Sequence, residues 1–367
     1  MISFSISYSL LAQSPKRISI RNTTDLHRQE LLSIPYQEFQ KQFGLADSIF
    51  TVVHYKNRQP LNYQLETCGE KVPQNILIAL DIRAHETIEL VVERQKPSLQ
   101  APKAFARYVP ERKDDFAWEN DLVAYRAYGK ALEGTNEDAQ GFDFWAKRTS
   151  RLIINEWYKN NNYHTDQGSG LDYYSVGQSL GVGDIALYYA DQIQYTKHYR
   201  SYEIVDNGPL RTTFKLFFAP ELVAGRTVSL VKTISLDAGS QLNKISVTIS
   251  SSDRSNIPIV LGIARRNEEE PAYNWDEQSA VFSYWEPAYK DNKTGTGLIM
   301  PRKPAAFILD KNQFLFKMEV LSSETLSYYS GAAFNKAGKI QDAASWRNYL
   351  RQRKEQLNNP LRIEYLN

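Results

Sequence analysis

Alternation of apolar and polar residues is the feature that most restricts how this chain can fold. The runs 227–234, 242–249 and 314–320 alternate cleanly, and so do Thr87 to Glu93 and Arg211 to Phe218. A side-chain period of two is that of a β-strand with one covered face, and such strands are typical of antiparallel sheets. The pattern predicts an all-β fold, a large antiparallel β-sandwich with a few short helices.

Turn and helix signals fill in the rest of this fold. The glycine-containing segment 237–240 lies between two of the alternating runs and predicts a hairpin loop. Near the C-terminus an apolar stripe predicts a helix, with Ser345 as its N-cap and Pro360 just beyond its end. A second helical stretch is predicted to include residues 148–157.

Chain length permits either one large domain or two ordinary domains, because the chain has 367 residues. No internal repeat or low-complexity linker divides it. The charged segment 96–113 carries three prolines and looks like a crossing between strand layers rather than a flexible linker. We therefore predict one β-sandwich domain over residues 14–367.

The amino terminus resembles the end of a secretory signal. Residues 2–11 are apolar and serine-rich, and Ala12 and Gln13 follow them. The basic start of a signal is lacking, and the alternation in this stretch also fits a first β-strand. We interpret residues 1–13 as a signal-peptide remnant and expect a periplasmic, secreted protein. No other stretch is long enough to span a membrane.

Overall charge argues against a nucleic-acid partner. The chain carries 44 Lys and Arg against 42 Asp and Glu, for a net charge of +2, and no basic tract runs along it. Aromatic residues are plentiful, with 23 tyrosines. Aromatic rings beside carboxylates suit a sugar ligand, because rings stack on pyranose faces and carboxylates accept hydroxyl hydrogen bonds.

The first candidate site is the segment 116–129, which combines acids, an arginine and aromatic residues. If the segment is extended, its candidate sugar contacts are Trp118 on one face and Glu119, Asp121 and Tyr125 on the other. The alternative is a structural strand in which one of the acids pairs with Arg126.

The second candidate site is the glycine-rich loop 163–177. Its chemically versatile residues are His164, Asp166, Asp172, Tyr173 and Tyr174. Glycines let the backbone approach a ligand closely, and these side chains could supply an acid, a base and ion-pair partners. One alternative is a solvent-exposed loop histidine. Another is a metal site, but the spacing fits no standard metal motif, so no metal or other cofactor is predicted.

A third, weaker candidate is the pair Trp285 and Glu286, just before a turn. The pair could contact a sugar. It is equally consistent with a core tryptophan followed by an exposed acid.

Together these motifs resemble a bacterial family catalogued as a domain of unknown function, found mostly in polysaccharide-utilising Bacteroidetes. The segments that carry the resemblance are 116–129, 163–183, 206–211, 284–287 and 328–332. The resemblance covers about residues 17–350, and the patterns Trp-Glu-Asn-Asp and His-x-Asp-x-Gly-x-Gly-x-Asp are its most specific parts. It implies a galactose-mutarotase-like super-sandwich. Small residues are expected after Gly181, whereas this chain has Val182 and Asp184, and Asp184 places a charge near the presumed site.

The family resemblance also implies an activity, that of an oligosaccharide dehydratase acting on ulvan, a polymer of sulfated rhamnose and uronic acids. Such an enzyme removes water from a non-reducing-end uronic acid and leaves a 4,5-unsaturated uronate. Arg126 would pair with the substrate carboxylate. His164 and one of Tyr173 and Tyr174 would be the proton-transfer groups, and the partner would be an acidic oligosaccharide.

Other classes of function remain open from the sequence. A glycoside hydrolase could use paired carboxylates such as Glu119 and Asp172, whose separation would decide between retention and inversion. A polysaccharide lyase on acidic glycans and a non-catalytic glycan-binding sandwich are the further alternatives. A pocket joining His164, Arg126 and a tyrosine would favour the dehydratase, and a flat aromatic strip would favour binding alone.

Overall fold

The computed structural model describes residues 15–253 and 255–367, so the predicted signal remnant lies outside the described residues. The N-terminal part forms two small antiparallel sheets around an apolar cluster of their own. Their strand orders are β26-β1-β6-β3, in which β26 (Arg362–Leu366) is the last strand of the chain, and β2-β5-β4. Its elements are β1 (Arg17–Arg21), β2 (Arg28–Pro35), α1 (Tyr36–Phe43), β3 (Thr51–His54), β4 (Tyr63–Glu66), β5 (Asn75–Ile82) and β6 (Thr87–Glu93).

A five-stranded sheet, of strand order β11-β10-β9-β8-β7, follows in the chain. Its elements are β7 (Ala104–Val109), β8 (Asp115–Asn120), β9 (Ala124–Ala127), β10 (Phe142–Lys147), α2 (Ile154–Asn160) and β11 (Gly170–Leu171). Short 3-10 turns at Pro110–Arg112 and Lys130–Leu132 interrupt the loops. The inner face of this sheet joins the main apolar core, and α2 covers part of its outer face.

Two further antiparallel sheets complete the sandwich. The smaller has the order β13-β12-β19-β24-β23, and the larger, nine-stranded sheet runs β14-β15-β17-β18-β25-β22-β21-β20, with β16 beside β17. Their strands are β12 (Asp184–Tyr189), β13 (Gln192–Gln194), β14 (Ser201–Asn207), β15 (Arg211–Phe217), β16 (Glu221–Val223), β17 (Arg226–Asp237), β18 (Leu242–Ser251), β19 (Asn256–Ala264), β20 (Tyr273–Asp276), β21 (Val281–Trp285), β22 (Thr294–Ile299), β23 (Ala306–Leu309), β24 (Gln313–Leu321) and β25 (Thr325–Phe334). Helix α3 (Ala343–Asn358) follows β25 and precedes β26.

The prediction of an all-β antiparallel sandwich is confirmed. The predicted strands correspond to β6, β15, β17, β18 and β24, and β17 alternates between buried and half-buried residues along most of its length. The segment 237–240 joins β17 to β18 as the expected hairpin, with Gly239 at a φ of 77° that favours glycine. The sheets are more numerous than the two layers that the alternation alone suggested.

Both predicted helices are present, but each begins at a different residue from the one predicted. The N-cap of α3 is Asp342 rather than Ser345, which occupies the third helical position and closes a capping box with Asp342. Helix α2 begins at Ile154, later than predicted. No helix among the described residues is long and apolar enough to cross a membrane.

The segment 116–129 is a hairpin, not the single extended strand that was considered. Between β8 and β9 the Asn120 Oδ1 accepts hydrogen bonds from the backbone N–H groups of Leu122 and Val123, and this turns the chain. The segment therefore pairs with itself, and every residue of β8 and β9 is buried.

The N-terminal cluster and the main core are separate groups of apolar residues, linked through β26, which returns after α3 to pair with β1. Residues 14–367 as one domain therefore stay a prediction. For the candidate site, the relevant part is the main sandwich, where the loop after β11 and the ends of β19 and β21 meet.

Candidate functional site

The aromatic residues of β8 and β9 belong to the core. The prediction that they contact a sugar is therefore wrong. Trp118 and Tyr125 are both fully buried. The Trp118 indole N–H donates to Asn243 Oδ1 at 2.7 Å, and the Tyr125 hydroxyl donates to the Gln241 carbonyl at 2.7 Å. The rings stack on each other between the sheets, so neither ring is open to a substrate.

Glu119 is likewise structural. Its carboxylate is fully buried, pairs with the Lys147 ammonium at 2.8 Å, and accepts the backbone N–H groups of Ile153 and Ile154. A carboxylate at the start of α2 satisfies amides that the helix itself leaves unpaired. Glu119 is therefore not available as a sugar contact or as a hydrolytic carboxylate.

Arg126 lies in a buried ion cluster and not at a substrate surface. Its guanidinium is 2.5 Å from Asp143, 3.4 Å from Asp172 and 3.7 Å from Asp115. Burial raises the pKa of Asp115 to about 6, although the Arg126 charge opposes this. Burial also raises the pKa of Asp172, and the neighbouring Asp143 charge adds to the effect. Three carboxylates already compensate Arg126, so its predicted pairing with a substrate carboxylate is corrected.

His164 is an exposed residue of the glycine-rich loop. Its side chain is 69% exposed, and Nδ1 lies 3.8 Å from the Asp172 carboxylate and 3.0 Å from the Asp172 backbone oxygen. The carbonyl can only accept, so a neutral His164 donates from Nδ1 and presents the Nε2 lone pair elsewhere. The imidazole therefore has a defined tautomer and an accessible acceptor nitrogen.

Two predicted sugar contacts serve local structure. Asp166 accepts the N–H groups of Gly168 and Gly170 and pairs with Arg148 at 2.8 Å, which shapes the glycine loop. Asp121 accepts the Gly239 N–H at 2.7 Å across the two hairpins. Both remain partly exposed, so the structure assigns them a loop-shaping role without burying them.

The two tyrosines point to different partners. The Tyr173 hydroxyl is 2.5 Å from the Thr294 hydroxyl, and its ring stacks on Tyr289, which is 56% exposed. The Tyr174 ring is buried beneath the Arg266 guanidinium, at 4.5 Å from its centroid. Its hydroxyl has no hydrogen bond of normal geometry within the described residues.

Glu286 is a buried acid, not the exposed one considered above. Its Oε2 accepts from Arg266 Nε at 2.9 Å, and its Oε1 is buried without a partner in the part of the chain described. Burial raises the pKa of Glu286 to about 7, against the opposing charge of Arg266. The Tyr174 hydroxyl is close enough to lower this pKa slightly. Glu286 is therefore a carboxyl group that exchanges its proton near neutrality.

A second carboxylate completes this group. The Tyr284 hydroxyl donates to Glu268 Oε1 at 2.5 Å and accepts the Arg266 N–H at 3.2 Å. The Arg266 guanidinium also donates from Nη1 to the Ser175 carbonyl at 2.6 Å, and its Nη2 makes no hydrogen bond among the described residues. We call Tyr174, Arg266, Glu268, Tyr284 and Glu286 the Glu286 cluster.

Trp285 does not join the Glu286 cluster. Its ring packs against Gly295 and belongs with Trp346 to the apolar group under α3. Neighbouring residues of a strand point to opposite faces, so Tyr284 faces the core while Trp285 faces α3. The prediction of Trp285 as a sugar contact is thereby corrected.

Asp184, the departure from the family pattern, is neutralised inside the sandwich. Its carboxylate is 2.6 and 2.7 Å from the Lys232 ammonium, and both side chains are buried. Its charge therefore does not reach the Glu286 cluster.

The structure thus brings three predicted residues, Tyr174, Glu286 and Tyr173, close together, and His164 lies on the same loop as the two tyrosines. Arg266 and Glu268 were missed because they lie about ninety positions after that loop. A signal was present: the charged run 265–270 directly follows the apolar strand β19. Charged residues at the end of a buried strand are candidates for a site.

Comparison with known proteins places this chain in a family. Residues 20–363 match the family described as a domain of unknown function, DUF4861. The chain belongs to the DUF4861 family. It is 28% identical over 370 residues to Uncharacterized protein P7 of Formosa agariphila, covering 94% of this chain and 92% of that protein.

One solved structure shares the fold of this DUF4861 protein. A protein in the glycosyl hydrolase family 38 from Enterococcus faecalis matches with a TM-score of 0.56 and 8% identity over 96% of this chain. An alpha-mannosidase from the same organism has a TM-score of 0.48, with 8% identity over 96% of this chain. The chain spans 47% and 46% of those two structures, less than half of each.

The raised pKa of Glu286 predicts a pH-dependent stability. Because its pKa rises from 4.5 to about 7 on folding, the neutral form is favoured in the folded state. The stability that a protonated Glu286 gives the folded protein is fully present below about pH 4.5 and is lost as the pH rises through about 7. The free energy of unfolding of the wild type should therefore fall by about 3 kcal/mol at most over this pH range, and Glu286→Gln should not show this fall.

Urea unfolding of the wild type and of Glu286→Gln between pH 4.5 and pH 8 measures this effect. Comparing the two proteins cancels the contribution of other buried acids such as Asp115. An identical pH slope in both proteins would contradict the prediction.

Proposed function

We propose that this protein is a carbohydrate-active dehydratase, a carbon–oxygen lyase that removes water from the non-reducing-end uronic acid of ulvan-type oligosaccharides. The observation that carries the proposal is Glu286, a buried carboxyl group whose pKa is raised to about 7 beside the Arg266 cation and the buried Tyr174 side chain. Such a group holds a proton that it can deliver at physiological pH. The fold shared with glycosidase structures is compatible with a sugar substrate.

The elimination needs a cation, a base and an acid. The C5 proton of a uronate is weakly acidic because its carboxylate resists further negative charge. Arg266 takes the role first considered for Arg126: its Nη2 is open, its side chain is 24% exposed, and it can pair with the substrate carboxylate.

His164 Nε2 then removes the C5 proton. The electron pair of that C–H bond forms the 4,5-double bond, and the C4–O bond breaks. The leaving hydroxyl takes the proton of Glu286 and departs as water. Tyr173 and the exposed Tyr289 ring next to it provide an aromatic surface for the sugar ring.

The proposed elimination is tested by incubation with ulvan-derived oligosaccharides that end in a saturated uronate. We expect new ultraviolet absorbance from the conjugated double bond, together with a mass loss of one water. A product mass that is unchanged across uronate-terminated substrates would reject the dehydratase.

Replacing His164 with alanine tests the base. Because the imidazole is largely exposed, we expect the free energy of unfolding to stay near that of the wild type. The kcat should fall toward the lower end of the about 10²–10⁴-fold range of general acid–base catalysis, since solvent can partly replace an exposed base. Full activity of His164→Ala on an accepted substrate would show that another group removes the proton.

A glycoside hydrolase is the second candidate, and Glu268 favours it. Glu268 accepts a hydrogen bond from Tyr284 and Glu286 accepts one from Arg266, and Glu268 Oε2 is buried without a partner among the described residues. Two carboxyl groups around one substrate are the apparatus of glycosidases. Hydrolysis would add a reducing end and no double bond, so the same incubation distinguishes the two reactions.

We also propose the periplasm as the location, from the signal-like residues 1–13. Fractionation of the native host tests this. Processed chain in the periplasmic fraction is the expected result, and unprocessed chain in the cytoplasm would contradict it.

A further inference from the structure

A large cleft lies on the opposite side of the nine-stranded sheet from the Glu286 cluster. It has a volume of 730 Å³ and is bounded by β2 of the N-terminal part, the outer face of β17, β18 and β25, and helix α3. On β25, Tyr328 is buried in the main core, whereas the next residue, Tyr329, lines the cleft. The cleft and the Glu286 cluster are therefore separate sites.

Two of the arginines in this cleft are already compensated. Arg211 makes a two-point pair with Asp237, at 2.5 and 2.9 Å, and a further contact of 3.3 Å to Glu66. Arg28 pairs with Glu30 at 2.9 Å. These pairs account for the carboxylates that line the cleft.

Three cations in the same cleft lack an acidic partner among the described residues: Lys244, Lys339 and Arg353. The Arg353 guanidinium donates from Nη1 to Gln356 Oε1 at 2.6 Å, while its buried Nε has no partner. Its Nη2 makes no hydrogen bond in the described part of the chain. The Nε and Nη2 edge therefore has no protein partner among the described residues, and an edge of this kind matches the two oxygens of a carboxylate or sulfate.

Two tyrosines line the same cleft as Arg353. Tyr329 and Tyr349 are both half-buried and line the cleft. The Tyr349 oxygen accepts the Gln241 N–H at 2.9 Å, so its own hydroxyl proton remains to be donated. Aromatic rings beside hydroxyl and amide groups suit a sugar, and the volume is that of an oligosaccharide-sized ligand.

We propose that this cleft is a second binding site, for an anionic oligosaccharide whose carboxylate or sulfate group pairs with Arg353 while Lys244 and Lys339 neutralise neighbouring charges. The site is independent of the proposed elimination and works without it. It would hold a polyanionic chain on a surface away from the reacting end.

Calorimetric titration of the full chain with an alginate tetrasaccharide and a chondroitin sulfate tetrasaccharide tests the site. The titration uses Arg266→Gln as the parent protein, so that binding at the Glu286 cluster is weakened, and each further substitution is added to this parent. We expect Arg353→Gln to weaken binding of at least one of these two probes by about tenfold or more, with increasing salt also weakening it. Arg353→Lys should restore it only in part, because an ammonium cannot make the two-point pair.

Arg351→Gln is the matched control. It removes the same charge from α3, but Arg351 lies outside the cleft, so its affinity should equal that of the parent. Unchanged urea unfolding of Arg353→Gln would confirm that the loss is local, and Lys244→Gln, at an exposed position, provides a second variant expected to weaken binding.

Equal affinity in Arg353→Gln and its parent would overturn the proposal, and so would binding of hexaglutamate as tight as that of either sugar probe. If Arg353→Gln loses binding while the wild type shows no dehydratase activity, the cleft is upheld and the proposed function is rejected. The two failures are therefore distinguishable.

Discussion

Glu286→Gln is expected to lower kcat of the proposed elimination by about 10²–10⁴-fold, with a smaller change in KM. Glutamine keeps the size and can still accept the Arg266 N–H, but it carries no acidic proton. Because Glu286 is buried, bulk water cannot replace it, so the loss should exceed that of His164→Ala.

The pH profile sharpens this test. Because Glu286 must be protonated to donate, wild-type kcat should fall as the pH rises through about 7, and this descending limb should be missing from Glu286→Gln. Glu268→Gln is the matched comparison, since it alters the other acid of the cluster. A Glu268 variant as inactive as the Glu286 variant would favour the two-carboxylate hydrolase, and a fully active Glu286→Gln would reject Glu286 as the acid.

Arg126→Met is expected to destabilise the protein by about 3–5 kcal/mol, the usual cost of leaving a buried ionic group without its partner. Asp115, Asp143 and Asp172 would remain buried around an apolar side chain. They would have to take up protons or separate. Urea unfolding near neutral pH measures the change.

Arg266→Met is the matched control for this substitution. It also removes an arginine from a buried carboxylate, but Glu286 titrates near pH 7 and can become neutral at little cost. Arg266→Met should therefore lose activity and keep most of its stability. If Arg126→Met instead unfolded like the wild type and only raised KM, Arg126 would be a substrate-binding residue after all.

The strands could be predicted because their signal is local. In β17 and β18 the alternation of side chains records which face is covered, and a β-strand shows this period whatever its neighbours are. The hairpin at Gly239 was readable for the same reason, since a turn's demand for positive φ acts within a few residues. Helix boundaries were less certain, because Asp342 and Ser345 are both good caps and backbone geometry chose between them.

The candidate site could be predicted only in part. Closeness in sequence suggested that Trp118, Glu119 and Arg126 share a surface with a ligand. Pairing of β8 with β7 and β9, and the packing of α2 over them, buried both faces and converted these groups into core and ion-cluster residues. Residue type alone does not distinguish a buried ion pair from a binding site.

By itself the sequence determined the fold class and the main strands, because these depend on period and composition. The loop around His164 and Tyr174 was predicted as a candidate site, and its role stays a prediction. Only the tertiary structure decided that Arg266 and Glu286, from two different strand ends, meet at this loop. It also decided that Glu286 is dry enough to hold its proton near pH 7. The physical reason is that desolvation and charge pairing depend on which distant residues the sheets bring together, and strand pairing across long stretches of chain leaves no local periodicity to read.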